Sequence, residues 1–514
     1  NISIGNPIRI EHSGLSPQSN VINGEKEGKI MDELDNKPVV IASSLTGLLI
    51  SYSLSQARIP HILIGGDAPA DIPRLGESIN EAASIDFRRF LGLEFGQYFY
   101  KKNHICLMNG SILSMSYSGN PGQGVSTVLP DRKKAAFSMV PNGLIHLDRS
   151  KFDKALYHKV KASPYCMFIH NTKANVVYDP TSDTVMAIAL DDEHRLEQPR
   201  YVFDATGPLG LVARAAGVSK KAVSDRERLA WTHYWTEPGR PLPKVWWLYG
   251  TNVLRLDADR DGIEGIAWLI PLGNTISIGL SVNAATYPID QISKEALIRK
   301  LDEAFARRGI AYRQFFTKTK PIIELSHEYF IRDRAYGNNW LLAGSGYIQI
   351  WFPTATGVAS SMLAAVLAPR FLQDPTGTGR YYEETQKPLL AMHNYMHQVI
   401  KSPPFTTIHE GYNFLAKAIT LIGMPLIKYL RATNNDLNSS GLAYVVPEKV
   451  LMVAEKSELL QLFMAASYMS IEKPPTLADQ GRAFKHYFNY PLLNVKNSVS
   501  VFPKFYGSKF FNSN

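Results

Sequence analysis

The chain has 514 residues, of which 45% are hydrophobic, so it can bury an extensive core, and disorder along its whole length is excluded. The net charge of +9 is spread over 55 basic and 46 acidic residues, and no run of Lys and Arg resembles a nucleic-acid-binding tail. A nucleic-acid partner is therefore not predicted. An anionic partner, such as a phosphate-bearing cofactor or an acidic carrier protein, suits this charge.

The two cysteines, Cys106 and Cys166, form neither a CxxC pair nor a cluster with histidines. Zinc sites and disulfide scaffolds are therefore not predicted, and a reducing, cytoplasmic location fits best. Residues 1–35 are polar and contain no apolar signal segment, which predicts a flexible N-terminal tail. The most apolar helical segment, residues 414–430, is interrupted by lysines, a glycine and a proline. No transmembrane segment is therefore predicted, although a peripheral membrane contact stays open.

A βαβ unit follows the predicted tail. The apolar run at residues 38–42 predicts a strand, a turn of small residues comes next, and a helical pattern continues to Arg58. Residues 61–65 predict a second strand. This order is typical of a Rossmann-type, dinucleotide-binding fold, in which the turn holds a phosphate at the helix N-terminus.

The three glycine positions of the dinucleotide-binding turn correspond to Ala42, Ser44 and Gly47. Ala and Ser are small enough for the fold, but the Cβ of Ser44 is predicted to point at the pyrophosphate space, so a turn that holds phosphate weakly or not at all is an alternative. The acidic residue that normally binds the ribose at the end of the second strand is replaced by Gly65. Asp67 is the candidate substitute, and a solvated loop aspartate is the alternative reading.

The middle of the chain, residues 98–330, is rich in β-type alternation, which predicts a mostly antiparallel sheet above a substrate cavity. From about residue 354 the pattern becomes helical. We therefore predict an α/β fold with three parts, which are the tail (1–35), a cofactor-binding domain with the interleaved sheet (36–370) and a C-terminal helical subdomain (371–514). The scattered histidines are more typical of surface or core positions than of catalytic bases: His104, His146, His233 and His327.

Three segments occur in the order and spacing of one known family. Residues 73–78 read PRLGES, residues 147–156 read LDRSKFDKAL, and residues 202–207 read VFDATG. Together they resemble the Gly-Glu-Ser segment, the Asp-Arg-x-x-Phe-Asp helix start and the Asp-Ala-Ser/Thr-Gly strand of the flavin-dependent halogenases and FAD-dependent aromatic monooxygenases. The resemblance extends over about residues 38–370. It implies a Rossmann-type FAD-binding fold with an antiparallel substrate region.

The same comparison shows departures at functional positions. Ser345 stands where the family has an aspartate that binds the flavin ribityl chain, and Ile266 replaces the first tryptophan of the Trp-x-Trp-x-Ile-Pro signature. Met108 occupies the position of the lysine that captures hypohalous acid in halogenases, with Lys101 and Lys102 upstream. Thr354 replaces the glutamate of tryptophan halogenases, whereas the Thr356–Gly357 turn, whose backbone could bind an anion, is retained.

The resemblance implies a set of site residues. The cofactor-binding candidates are Ala42, Ser44, Gly47, Asp67, Glu77, Ser78, Arg149, Asp204, Gly207, Gly344, Ser345, Thr356 and Gly357. The substrate-pocket candidates are Trp268, Trp351 and Phe352, and the catalytic candidates are Trp268, Thr354 and Lys102. No metal site is predicted.

Three functions are compatible with these residues. The leading hypothesis is an FAD-linked, monooxygenase-like oxidoreductase of an aromatic or natural-product intermediate that does not halogenate. Its substrate would be a small molecule or a carrier-bound group, and a flavin reductase would be a partner. The alternatives are a flavoprotein fold with lost or weakened FAD binding that serves as a non-redox cyclase, isomerase or binding protein, and a halogenase in which Lys101 or Lys102 replaces the missing lysine.

Overall fold

The computed structural model describes residues 9–11, 36–79, 90–91, 93–101, 104–109, 112–117, 145–171, 173–191, 194–243, 245–350, 356–387, 390 and 393. Its strands are β1 (Arg9–Glu11), β2 (Pro38–Ile41), β3 (His61–Gly65), β4 (Phe99–Lys101), β5 (His104–Asn109), β6 (Ile112–Tyr117), β7 (Ile145–Leu147), β8 (Cys166–His170), β9 (Asn175–Asp179), β10 (Thr184–Ala189), β11 (Arg195–Glu197), β12 (Tyr201–Asp204), β13 (Lys220–Trp235), β14 (Gly250–Leu256), β15 (Gly265–Leu272), β16 (Thr275–Asn283), β17 (Lys318–Thr319), β18 (Ile323–Arg332), β19 (Trp340–Leu342) and β20 (Ile348–Gln349). Its α-helices are α1 (Leu45–Gln56), α2 (Arg149–Lys161), α3 (Leu211–Ala215), α4 (Ala258–Asp261), α5 (Lys294–Arg307), α6 (Thr356–Phe371) and α7 (Pro375–Gln386).

A largely parallel sheet forms the first layer of the fold. Its described strands follow the order β1-β8-β3-β2-β12-β19, and all of them are parallel except β1, which is antiparallel to β8 at the edge. Every residue of β2, β3 and β12 is buried. Such continuous burial is typical of parallel strands that are covered on both faces, and it explains why these strands read as apolar runs rather than alternating ones.

Helix α1 follows β2 and is apolar on all sides. Its residues from Leu45 to Leu54 are all buried, as expected for a helix that lies inside the core rather than on the surface. It packs against α6, and the Oγ1 atom of Thr46 lies 2.8 Å from the Oγ atom of Ser361. The first turn of α1 is thereby fixed between the parallel sheet and α6.

A second, larger sheet lies beside the first. Its described strands follow the order β20-β18-β13-β16-β15-β14-β5-β6, with β17 paired to β13, and all described pairs are antiparallel except β14 with β5. Along β15, Trp268 and Ile270 pack with one apolar cluster, whereas Ala267 and Leu269 pack with another. This separation follows from the two-residue period of a strand, which turns successive side chains to opposite faces.

Helix α5 covers one face of the larger sheet. Ser293 caps it by accepting a hydrogen bond of 3.2 Å from the N–H of Ala296. Its buried residues recur at helical spacing and form one apolar stripe: Leu297, Ile298, Leu301, Ala304 and Phe305. The stripe packs in the same cluster as Ala267 and Leu269. Trp268 and Ile270, on the opposite face of β15, belong to a different cluster.

The structure confirms the predicted α/β class, the Rossmann-type βαβ unit and the mainly antiparallel middle region. Within the predicted tail, Arg9–Glu11 pair with β8 as an edge strand. Residues 371–514 were predicted to form a helical subdomain, and only residues 371–387, 390 and 393 of that span are described, so the three-part division stays a prediction. None of the described helices combines the length and hydrophobicity that crossing a lipid bilayer requires.

Candidate functional site

A cavity of about 470 Å³ lies between the two sheets. Its volume is in the range of small-molecule sites. One side is formed by the loops that follow the parallel strands, and the other by β14 and β15. Lining residues within 345–350 and 357–361 contribute a third wall. The lining includes Ser44, Thr46, Glu77, Ser78, Arg149, Thr206, Gly207, Thr251, Ile266, Trp268, Ser345, Gln349 and Gly357. Ligands of open α/β sheets bind at this place, outside the carboxyl ends of the parallel strands.

The turn between β2 and α1 keeps the form of a dinucleotide-binding turn with altered residues. Ser44 caps α1, because its Oγ accepts from the N–H of Gly47 at 3.4 Å and donates to the carbonyl oxygen of Ala205 at 2.8 Å. Leu45 and Thr46 line the cavity in the first helical turn, where backbone N–H groups lack acceptors within the helix. The helix therefore presents an anion-binding end to the cavity, although the Ser44 side chain already satisfies one donor.

Ala42, at the first position of the turn, has a φ of 86°. This is the left-handed region, where an L-residue with a Cβ costs about 1–2 kcal/mol. Glycine is the usual residue for such a backbone, and the family fingerprint places glycine here for that reason. Ala42 therefore adopts a backbone conformation that favours glycine and disfavours alanine.

We expect Ala42→Gly to raise the free energy of unfolding by about 0.5–1 kcal/mol, because the relief of strain exceeds the entropy that glycine adds to the unfolded chain. Thermal denaturation followed by circular dichroism measures the change. Ala57→Gly is the matched control, since Ala57 has a φ of −78° at the end of α1 and should become less stable. Equal destabilisation of both variants would contradict the strain at Ala42.

The end of β3 offers no acidic group for a ribose. A Cβ added to Gly65 would lie 2.6 Å from both the Cβ and the Oγ of Ser43, so the ordinary acidic residue cannot be accommodated here without a shift of the turn. The side chain of Asp67 is 97% exposed and lies 3.1 Å from Nε2 of His170, and Asp67 is absent from the cavity lining. In this structure, Asp67 is a surface aspartate.

Two charged groups from the Gly-Glu-Ser and Asp-Arg segments meet at the cavity. Arg149 donates to Asp153 through two bonds of 2.8 Å and to the carbonyl oxygen of Leu75 at 2.6 Å. Burial acts to lower the pKa of Arg149, but the Asp153 carboxylate outweighs it and raises that pKa. Oε1 of Glu77 lies 2.8 Å from Nε2 of His233, and both side chains are buried. These pairs hold the Arg149 and Glu77 side chains in place where they line the cavity.

Asp204 and Arg332 hold the loops around the cavity without lining it. Asp204 is fully buried at the end of β12 and accepts from Thr206 and from the N–H of Val212 at 2.8 Å. Burial raises its pKa, and the hydrogen bonds oppose that shift. Arg332 donates to the carbonyl oxygens of Gly346 at 2.8 Å and Pro208 at 3.0 Å, which ties the loop after β12 to the loop after β19. Sequence reasoning missed Arg332.

The loop after β19 carries two of the predicted cofactor residues. Gly344 has its N–H bonded to the Tyr382 hydroxyl at 2.8 Å and is absent from the cavity lining. Ser345 does line the cavity, and its Oγ is 3.2 Å from the point where a Cβ on Gly207 would lie. Gly357 lines the cavity near the start of α6, and a Cβ built there meets no atom of the described residues within 4 Å.

The wall opposite the loops is apolar. Ile266, Trp268 and Ile270 alternate along β15 and line the cavity together with Val253 of β14. Trp268 lies against Gly279 of β16, where an added Cβ would be 2.1 Å from the indole Cζ2. A flat apolar wall of this kind suits a planar aromatic ligand.

A chain of hydroxyl groups leads from the cavity to a buried histidine. Oγ of Ser78 is 3.0 Å from Oγ1 of Thr251, which is 2.8 Å from Nε2 of His146. Nδ1 of His146 lies 2.8 Å from the carbonyl oxygen of Pro271. The sequence assigned His146 to a surface or core position, and it lies in the core, but its link to Ser78 and Thr251 depends on long-range pairing that no local pattern signals.

Other predicted residues do not enter the described site. Lys102, Trp351, Phe352 and Thr354 lie outside the described residues, and Thr356 is described only as the first residue of α6. Met108 is in β5, in register with Leu254. No group of acidic, cysteine and histidine side chains able to hold a metal ion occurs among the described residues.

Neither the protein-family models nor the curated proteins give a match to this sequence. Solved structures, in contrast, give matches. Halogenase PltM, solved with phloroglucinol and FAD, aligns with a TM-score of 0.62 at 14% identity over 87% of this chain and 94% of its own. BrvH, a flavin-dependent halogenase from Brevundimonas sp. BAL3, aligns with a TM-score of 0.51 at 15% identity over 71% of this chain and 78% of its own.

A flavoprotein/dehydrogenase from Cytophaga hutchinsonii aligns with a TM-score of 0.52 at 15% identity over 72% of this chain and 89% of its own. At these identities the likeness establishes the fold and not the reaction. The chain therefore has the fold of the flavin-dependent halogenases and related flavoproteins. This confirms the resemblance that its Gly-Glu-Ser, Asp-Arg and Asp-Ala-Thr-Gly segments indicate.

The described residues fit a flavin dinucleotide in one part and not in another. The first turn of α1 and the open backbone at Gly357 suit a diphosphate and a closely packed ligand. The end of β3 does not suit the adenosine ribose, because Ser43 fills the space of the acidic side chain. The described lining therefore suits the diphosphate of such a ligand, and the end of β3 supplies no carboxylate for its ribose.

Proposed function

We propose that the chain is an FAD-linked, monooxygenase-like oxidoreductase that acts on an aromatic or natural-product intermediate and does not halogenate it. The observation that carries the proposal is the cavity, which joins the anion-binding end of α1 to the apolar wall of β15. A cofactor phosphate and a planar substrate could be bound side by side in this one cavity. The substrate is a free or carrier-bound small molecule, and a separate flavin reductase is the proposed partner.

A bound flavin would supply the electrons and the reaction with dioxygen. The residues of this chain would orient the flavin and the substrate and would shield both from water. The N–H groups of Leu45 and Thr46 would face the diphosphate, and Ser345 would accept or donate one hydrogen bond where the family uses an aspartate. Trp268, with Ile266 and Ile270, would hold the aromatic ring and exclude water.

The absence of halogenation is proposed from three positions. Where halogenases place functional groups, this chain has Met108, Ile266 and Thr354. Ile266 is buried in the cavity wall, and a thioether such as that of Met108 has no proton to donate. Lys101 and Lys102 are the residues through which a halogenase activity would have to act, and bromination in the experiment below would favour that alternative.

A second candidate function is supported by the crowding of Ser43 against Gly65 and by the strained Ala42. The first removes the place of a ribose-binding carboxylate, and the second shows that the turn has departed from the glycine sequence of a dinucleotide-binding turn. In this alternative the fold binds FAD poorly or not at all and serves as a non-redox cyclase, isomerase or binding protein, with the same cavity used for the substrate alone.

Titration of the purified protein with FAD, followed by flavin fluorescence, tests whether the protein binds the cofactor at all. We expect weak binding, because each lost polar contact removes about 1 kcal/mol. The double variant Ser44→Gly and Ser345→Asp should tighten FAD by about tenfold or more. Ser182→Asp, in an exposed turn, is the charge-matched control and should leave affinity unchanged. No binding by the wild type or the double variant would favour the non-redox function.

Turnover is then measured with reduced FAD, oxygen, bromide and a panel of phenols that includes phloroglucinol. An oxygenated product without bromine is the expected result. A brominated product would overturn the non-halogenating assignment.

A further inference from the structure

We propose that Tyr382 of α7 is a positioning residue for the cavity, because its hydroxyl holds the loop after β19 and this loop presents Ser345 to a bound ligand. The proposal rests on the proposed function in one respect, since FAD is the ligand named for the Ser345 side of the cavity. Tyr382 falls in the span 371–514, for which the sequence predicts a C-terminal helical subdomain. No local pattern links it to the cofactor-binding candidates.

The bond between α7 and the loop is buried. The hydroxyl oxygen of Tyr382 accepts from the N–H of Gly344 across 2.8 Å, and Tyr382 is 0% exposed. The direction is fixed, because an amide N–H can only donate. Burial raises the pKa of Tyr382 to about 12, against opposing effects of neighbouring hydrogen bonds, so the hydroxyl is un-ionised at neutral pH. A buried N–H needs an acceptor, so the placement of Gly344 depends on Tyr382.

The position of Ser345 depends on two long-range anchors. Gly344 and Gly346 flank it in the chain, and each is tied to a distant element. The N–H of Gly344 is bonded to Tyr382, and the carbonyl oxygen of Gly346 accepts from Arg332 across 2.8 Å. Ser345 lines the cavity, whereas Gly344 and Tyr382 do not. Tyr382 therefore acts on the cavity through Ser345 and not by contact with a ligand.

The loop fits closely against its neighbours. Gly344 has a φ of 57°, and a Cβ added to it would lie 2.8 Å from Oγ1 of Thr46 in α1. On the side of β12, Oγ of Ser345 is 3.2 Å from the point where a Cβ on Gly207 would lie. Hydrogen bonds weaken as their distance and angle depart from the optimum. Even a small displacement of this loop therefore changes the bond that Ser345 can make to a ligand.

Helix α7 is itself held by buried polar contacts. One residue after Tyr382, Glu383 accepts from the N–H of Ala335 across 2.9 Å, ahead of β19. One turn after Tyr382, Gln386 is bonded to the hydroxyl of Ser360, which lines the cavity from α6. Three neighbouring residues of α7 thus reach the segment before β19, the loop after β19 and the wall formed by α6. This makes α7 a fixed point from which Tyr382 can position the loop.

Hydrogen exchange followed by mass spectrometry tests the anchor without any ligand. Tyr382→Phe removes the acceptor and keeps the ring, so exchange in a peptide spanning residues 340–350 should become about tenfold faster. A peptide that covers β3 is the internal reference. Its exchange should not change, whereas a general loss of stability would accelerate exchange in both peptides.

Tyr347→Phe is the matched control. Tyr347 follows the same loop and is buried, but its hydroxyl has no hydrogen-bond partner among the described residues. The same chemical change should therefore leave exchange in the loop at the wild-type rate. Wild-type exchange in Tyr382→Phe, or equal acceleration in the two variants, would overturn the proposal.

A double-mutant cycle tests whether the anchor acts through Ser345. FAD affinity is measured by titration calorimetry for the wild type, Tyr382→Phe, Ser345→Ala and the double variant. Tyr382→Phe should weaken FAD about fivefold in the wild-type background. In the Ser345→Ala background it should weaken FAD by less than about twofold, because the group that it positions is then absent.

An equal loss of affinity in both backgrounds would assign Tyr382 a merely structural role and would contradict the proposal. A wild-type protein that binds no FAD would instead overturn the proposed function. The exchange rates of Tyr382→Phe and Tyr347→Phe then decide the role of Tyr382 by themselves, since they are measured without FAD.

Discussion

Gly47→Ala is expected to lower the free energy of unfolding by at least about 3 kcal/mol, which is the upper range for overpacking of a core. An added Cβ would lie 1.9 Å from the carbonyl oxygen of Ala42 and 3.3 Å from the Cβ of Ala205. The nearest atom belongs to the backbone of a turn between two buried elements, so it cannot rotate away as a flexible side chain would. The third glycine of the fingerprint is therefore required for packing even where the others are lost.

Differential scanning fluorimetry measures this effect, and a fall in Tm of roughly 3 °C or more is expected for a chain of this length. Gly96→Ala is the matched control, because a Cβ at Gly96 meets no atom within 4 Å in the described part of the chain and its φ is not positive. That control should change stability by less than about 0.5 kcal/mol. A Gly47→Ala protein with wild-type Tm would show that β2 and α1 are not packed as described.

The protein is expected to lose stability as the pH falls from about 6.5 to about 4, chiefly through His61 and His327. Burial lowers the pKa of each histidine to about 4, from an ordinary value of 6.5. Because the folded pKa is the lower one, the unfolded chain binds protons first on acidification. The stability these groups contribute is complete above pH 6.5 and is lost as the pH falls toward 4. A shift of this size corresponds to about 3 kcal/mol for His61, and less for His327, which is partly exposed.

His61→Phe isolates this effect. His61 is 1% exposed and donates from Nδ1 to the carbonyl oxygen of Ile59 at 2.9 Å, so a ring of similar size fills its place but does not titrate. Urea unfolding at several pH values should show a flatter pH dependence for His61→Phe than for the wild type. His158→Gln, at an exposed position, should follow the wild-type curve.

Asp204 acts in the opposite direction. Its folded pKa is raised by burial, so its contribution to stability grows as the pH falls through that value. The comparison of His61→Phe with the wild type cancels this effect, because Asp204 is present in both. Identical pH dependence in the two proteins would show that His61 titrates normally in the folded state.

The elements of this fold could be predicted from local sequence, and the site only in part. Apolar runs and glycine spacing predict β2, α1 and β3, because strand and helix periods are local properties. The exposure of Asp67 and the clamp by Arg332 depend on which distant segments meet, as does the chain from Ser78 to His146. Alanine disfavours the positive φ that Ala42 adopts. The surrounding packing imposes this φ, so composition could not reveal it.

The contact between Trp268 and Gly279 means that a residue behind the cavity wall helps to set the shape of the cavity. Trp268 lines the cavity, yet its indole occupies space that exists only because β16 has no side chain at Gly279. Any larger residue at position 279 would displace the Trp268 indole into the cavity and reduce the space for an aromatic ligand. The size of ligand that this protein accepts is therefore set in part by a residue that no ligand touches. Attempts to enlarge or redirect its ligand range should screen the strand behind the wall together with the wall itself.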